Sequence, residues 1–104
     1  MSRVGRYVKL KAREGQREAL VEHMLGVAQL LANVSGCELY VINTSAADTE
    51  TVWVTEVWSS QVQLDASLTL DSVKASVEQV LPLLAGPPER IDIVPLGGKG
   101  LDAG

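Results

Sequence analysis

The segment Thr51-Val52-Trp53-Val54-Thr55-Glu56-Val57-Trp58 constrains the fold more than any other stretch of the chain. Its β-branched and aromatic residues favour a strand. Side chains along a strand alternate between two faces, so Val52 and Val54 share one face while Trp53 and Val57 share the other. A strand that is apolar on both faces must be covered on both.

The cover has to come from a chain of 104 residues, enough for one domain and too short for two. There is no Phe, so valine and leucine carry the interior, with Tyr7, Tyr40, Trp53 and Trp58 as the aromatic bodies. Residues 3–12 read as a strand, with Val4, Val8 and Leu10 on one side and Arg3, Tyr7, Lys9 and Lys11 on the other. Arg6 falls on the apolar side and is the anomaly of that strand. Leu20, Met24, Ala28 and Leu31 recur at helical spacing and predict a helix over 16–33, which Gly36 closes as a left-handed stop. A strand follows over 37–44, then a polar loop at 45–50 and the strand 51–58.

Ser60 and Gln63 form a capping-box pattern that starts a short helix ending near Ser67. Val73, Val77, Val80, Leu81 and Leu84 predict a further helix over 71–85, with Pro82 removing one hydrogen bond near its end. Residues 89–96 read as a fourth strand, followed by a glycine-rich tail. The expected fold class is α+β: a ferredoxin-like split β-α-β-β-α-β domain over 1–96 with a flexible tail at 97–104. Two helical layers on one sheet face leave the other face bare, so a second copy of the chain is the expected cover, giving a homodimer.

Composition narrows the partners. The net charge is −4 and the nine basic residues form no stripe, which disfavours nucleic acid. No apolar run approaches the ~20 residues of a membrane span. Arg3 and Arg6 interrupt any hydrophobic signal core, so a cytoplasmic location is expected. One cysteine and one histidine, with no close ligand spacing, do not build a metal site.

Three motifs add a resemblance. Lys11-x-Arg13-Glu14-Gly15-Gln16-Arg17-Glu18-Ala19-Leu20, Gly36-Cys37-x-x-Tyr40 and Glu56-Val57-Trp58-Ser59-Ser60 occur in this order and spacing. Together they resemble the antibiotic-biosynthesis monooxygenase family of dimeric α+β barrels. The resemblance implies a homodimer with a cavity between sheet and helices in each subunit. It also implies oxidation of phenolic, quinol or anthrone-type substrates by molecular oxygen with no cofactor. Many members carry a histidine in the short helix after the Glu-x-Trp element, and here Ser67 stands at that place. Haem degradation would need an axial histidine from that helical segment, whereas His23 lies on the first helix.

The candidate catalytic residues are His23, Trp58 and Arg6. His23 sits at the border of the apolar stripe of its helix, where it can serve as a base or simply lie at the surface. Trp58 reads as a pocket wall or as a core aromatic, and its indole N–H needs a partner if buried. Arg6 can hold an anionic oxygen or pair with Glu56. Tyr7, Tyr40 and Glu56 are candidate substrate-binding groups, and Ser67 joins them through the family position alone. The expected ligand is a small aromatic or other metabolite. The other reading is an isomerase, lyase or binding module on the same barrel.

Overall fold

The computed structural model describes residues 2–101. Four strands and three helices follow in the order β1 (Val4–Lys11), α1 (Arg17–Leu31), β2 (Cys37–Thr44), β3 (Thr51–Trp58), α2 (Gln61–Ser67), α3 (Asp71–Val80) and β4 (Glu89–Ile93). The strands make one antiparallel sheet in the order β2-β3-β1-β4, with the helices on one face: the ferredoxin-like split arrangement. The two strands whose pattern was strongest, β2 and β3, begin and end where the sequence places them. Residues 102–104 of the expected tail lie outside the described residues.

Alternation decides what each face carries. Val8, Leu10, Val52, Val54 and Trp58 point toward the helices and meet Leu20, Met24, Val27 and Leu31 of α1 in the core. Val27 takes the buried place predicted for Ala28, because the α1 stripe runs 20, 24, 27, 31. Ser60 accepts a hydrogen bond from the Gln63 backbone N–H at 3.3 Å and so caps α2.

Three local expectations are corrected. Gly36 has no positive φ and is not a left-handed helix stop. Its glycine answers a close approach instead: a Cβ there would lie 2.5 Å from Gln63 Cβ, so the missing side chain lets α2 pack against the start of β2. The helix predicted over 71–85 stops at Val80 and tightens into a 3₁₀ turn, Leu81–Leu83, that admits Pro82 in its first positions. The chain then clips to the end of β1, Ala85 N–H donating to Lys11 O at 2.8 Å and Arg13 N–H to Leu83 O at 2.9 Å. The fourth strand ends at Ile93 rather than 96, ahead of Pro95.

Among the described residues no helix lies on the opposite sheet face. Leu39, Val41, Thr55, Val57, Tyr7 and Ile91 lie on it. Tyr7 is 41% exposed, Val41 41% and Ile91 57%. The described chain folds back over one end of this face: Gly5 lacks a side chain, and Ile93 and Pro95 lie within 3 Å of where its Cβ would be.

Candidate active site

A cavity of about 190 Å³ lies between the sheet and the helices. Met24, Val27, Leu64, Val73, Val77 and Val80 are among the helix residues that roof it, and no titratable side chain comes from the helices. Its floor is the covered sheet face. Val8, Leu10 and Val54 make the aliphatic part of that floor.

One row of the floor is different. Strand register sets Tyr40 of β2 beside Glu56 of β3, Glu56 beside Arg6 of β1, and Arg6 beside Asp92 of β4. A phenol, a carboxyl, a guanidinium and a second carboxylate thus cross the sheet in line. Tyr40, Glu56 and Arg6 line the cavity, and Asp92 lies outside it at the sheet edge. Trp58, the next residue toward the end of the same face of β3, is buried and donates its Nε1–H to Glu56 Oε1 at 2.9 Å. Glu56 is only 7% exposed. Its other oxygen takes no hydrogen bond among the described residues.

Electrostatics follow from this burial. Desolvation raises the Glu56 pKa above the ordinary glutamate value; the Trp58 hydrogen bond and the Arg6 and Arg90 charges oppose the rise but do not cancel it. Desolvation, reinforced by the Glu56 charge, drives the Tyr40 phenol well above the usual tyrosine range, so it stays neutral. Burial likewise raises the Cys37 thiol. Arg6 Nε is sealed from solvent and has no hydrogen-bond acceptor among the described residues. Its ion pair with Asp92 Oδ1, at 3.8 Å, is too long to supply one.

The residues singled out in the sequence separate into two groups. Arg6, Tyr40, Glu56, Trp58 and Ser67 all line the cavity. Ser67 is buried, and its hydroxyl donates to Leu64 O at 2.6 Å, within its own helix. His23 and Tyr7 do not line it. His23 Nε2 lies 3.1 Å from Ser76 O and bridges α1 to α3, because its position at the stripe border points it at the neighbouring helix. Tyr7 falls on the bare face, one residue out of phase with Arg6. Asp92 and Arg90 went unremarked in the sequence; their alternation with Ile91 and Ile93 was the available signal. Among the described residues no group of three His, Cys, Asp or Glu side chains can hold a metal, and no helix is long and apolar enough to cross a membrane.

Fold and cavity together define a ferredoxin-like α+β domain with a cavity between its sheet and its helices. The antibiotic biosynthesis monooxygenase family model matches residues 3–79, and the chain belongs to that family. A candidate antibiotic biosynthesis monooxygenase from Chloroflexus aurantiacus is 35% identical, covering 93% of this chain and 96% of its own, with a TM-score of 0.83. A second from Caulobacter crescentus is 24% identical over 88% of each chain, with a TM-score of 0.84. One from Nitrosomonas europaea shares 16% identity over 91% of each chain and superposes with a TM-score of 0.86, which speaks for the fold alone. No curated protein matches.

Proposed function

We propose that this protein oxidises a small phenol or hydroquinone with molecular oxygen, without a cofactor, in the cavity floored by Tyr40, Glu56 and Arg6. The observation that carries this reading is an apolar cavity whose polar groups converge on one row beside a buried tryptophan. Apolar walls hold an aromatic ring and exclude water; a convergent polar end orients its hydroxyl. For a phenol, loss of the O–H proton gives an electron-rich anion that passes one electron to oxygen. The phenoxyl radical and superoxide then join at a ring carbon, and loss of water leaves a quinone. One oxygen atom stays in the product and the other leaves as water with the two hydrogens the substrate gave up.

Size selects within the family's chemistry. A cavity near 190 Å³ is smaller than the ~300–1,000 Å³ of sites for drug-sized ligands, which favours one ring over a three-ring anthrone. Oxygen-electrode assays with hydroquinones, simple phenols and anthrones test the reading. The expected result is uptake with matching quinone formation for single-ring substrates; rates equal to the uncatalysed ones throughout would overturn it.

A second reading keeps the cavity and drops oxygen. Ser67 spends its hydroxyl on Leu64 O where family members frequently carry histidine, which favours an isomerase, lyase or binding module. Thermal stabilisation by the same phenols without oxygen uptake would select it. In either reading we place the protein as a homodimer through the bare sheet face, since Tyr7, Leu39, Val41 and Ile91 are an apolar patch that a second copy would bury.

A further inference from the structure

We propose that Glu56 takes the phenolic proton of the substrate and that the Arg6 guanidinium receives the oxyanion left behind, making the row across the sheet an ionising centre. This rests on the phenolic reading above and assigns its proton chemistry.

The argument is first one of geometry. Glu56 and Arg6 are cross-strand partners on the cavity floor. The indole of Trp58 holds one Glu56 oxygen, which fixes the carboxyl and leaves the other oxygen without a protein donor among the described residues. Arg6 Nε–H has no acceptor among the described residues, so no hydrogen bond there ties the guanidinium to the protein. The guanidinium lines the cavity and sets a positive charge against it, which an anionic oxygen there would face. Asp92, outside the cavity, pairs through Oδ1 with both Arg6 Nε and Arg90 Nε, each at 3.8 Å.

Charge balance comes second. When a phenol O–H breaks, its proton goes to the Glu56 carboxylate and the electron pair stays on the substrate oxygen. The negative charge moves from one neighbour of Arg6 to another, and the net charge in the cavity is unchanged. A base outside the cavity would instead create a new charge in a low-dielectric site, which is far costlier.

Elimination comes third. His23 is outside and bound to the Ser76 carbonyl, the Ser67 hydroxyl donates to Leu64 O, and the Tyr40 phenol and Cys37 thiol are both pushed up. The charged or titratable groups facing Glu56 are Arg6, Tyr40, Cys37 and Arg90, all on the sheet. Burial raises Glu56 itself, which makes it a stronger base than an exposed glutamate.

Anaerobic titration of bound 4-nitrophenol, whose anion absorbs at longer wavelength than the neutral form, tests the centre without oxygen chemistry. In the wild type the bound probe should ionise about 1–3 pH units below the free probe. Arg6→Met should abolish that shift or reverse it, while Arg6→Lys should keep much of it. In oxygen-uptake assays Glu56→Gln should lower kcat at neutral pH by about 10²–10⁴-fold. The residual rate should climb tenfold per pH unit as the substrate ionises unaided, with Glu56→Asp recovering part of the loss. A probe that fails to bind, or that ionises as it does in water, overturns the inference, as does an unchanged pH profile in Glu56→Gln. If the probe titrates as expected and no phenol consumes oxygen, the ionising centre stands and the oxygenase reading falls. If oxygen is consumed equally by Glu56→Gln and Arg6→Met, the reverse holds.

Discussion

The two faces of the sheet use the same strands and nearly the same apolar vocabulary, yet they end in different states. On one face Val52, Val54 and Trp58 disappear under three helices, and a carboxyl is buried with them beside a part-buried guanidinium. On the other, Tyr7, Leu39, Val41 and Ile91 stay open, while Ile93 and Pro95 fold back over one end. The difference lies in what the chain length can cover. Helices from a domain of this size roof one face. The covered face can then afford buried charge, because its packing over-determines the positions of Glu56 and Arg6.

The sharpest way to break this comparison is to remove the tryptophan from each face of β3 in turn. Trp58→Ala empties a fully buried site and leaves Glu56 without its indole donor, so a loss of about 3–5 kcal/mol is expected in urea unfolding. That loss should not depend on protein concentration. Trp53, half-buried on the bare face with Lys9 Nζ 6.0 Å from its ring centroid, should give a smaller loss on truncation. Equal losses at the two positions would mean the two faces are energetically alike. Trp58→Phe keeps one six-membered ring of the packing while withdrawing the donor, so a smaller loss, of which roughly 1–3 kcal/mol is the missing hydrogen bond, should remain.

The bare face invites the next test. Val41→Glu puts a charge among Leu39, Thr55 and Tyr7 without touching the cavity. If a second copy covers this face, sedimentation should show the association weakened by at least about tenfold, or 1.4 kcal/mol. The cavity's affinity for a phenol should be unaffected. A wild type that sediments as a monomer at every concentration would leave the patch uncovered and refute the dimer.

A smaller effect is expected where α2 meets the sheet. Gly36→Ala would drive its Cβ into Gln63 Cβ and Cγ, both within 2.7 Å, so overpacking of about 1–3 kcal/mol should follow. Gln63→Ala removes Cγ but keeps Cβ, and should therefore restore only part of the loss. Full restoration would show that the flexible end of Gln63 was the whole obstacle.

Much of the covered face was legible in the sequence, and the reason is periodicity. Alternation over 51–58 fixes which residues share a face with Glu56, and the out-of-phase Arg6 marks a polar group on an apolar side. Pairing of Glu56 with the Trp58 indole follows from their two-residue spacing on one face. What periodicity does not contain is register. The alignment of Tyr40, Glu56, Arg6 and Asp92 depends on how four strands slide past one another, and residues 6, 40, 56 and 92 are far apart along the chain. His23 shows the same limit on a helix. Its angle relative to Met24 was readable, but the approach of α3 that gives it the Ser76 carbonyl was not.

The two carboxyls that β3 and its preceding loop hold most firmly supply the finest discrimination between a covered and an uncovered place. Glu56 is raised, mainly by desolvation. Asp48 is lowered, by hydrogen bonds from the Thr51 hydroxyl at 2.7 Å and the Glu50 N–H at 2.9 Å, in a loop open to water. Linkage gives them opposite signs. A raised carboxyl favours the folded state fully below the ordinary glutamate value, and that contribution is lost as pH climbs through its folded pKa. A lowered one contributes fully above the ordinary aspartate value and is lost as pH falls through its folded pKa. Stability against pH, measured by urea unfolding, should therefore flatten on the alkaline side of the carboxylate range in Glu56→Gln and on the acid side in Asp48→Asn. The Asp48 effect should be the weaker, since water screens a group in so open a place. If both variants flatten the same side, Glu56 is solvated in the folded protein, and the covered face loses the dry environment on which its chemistry depends.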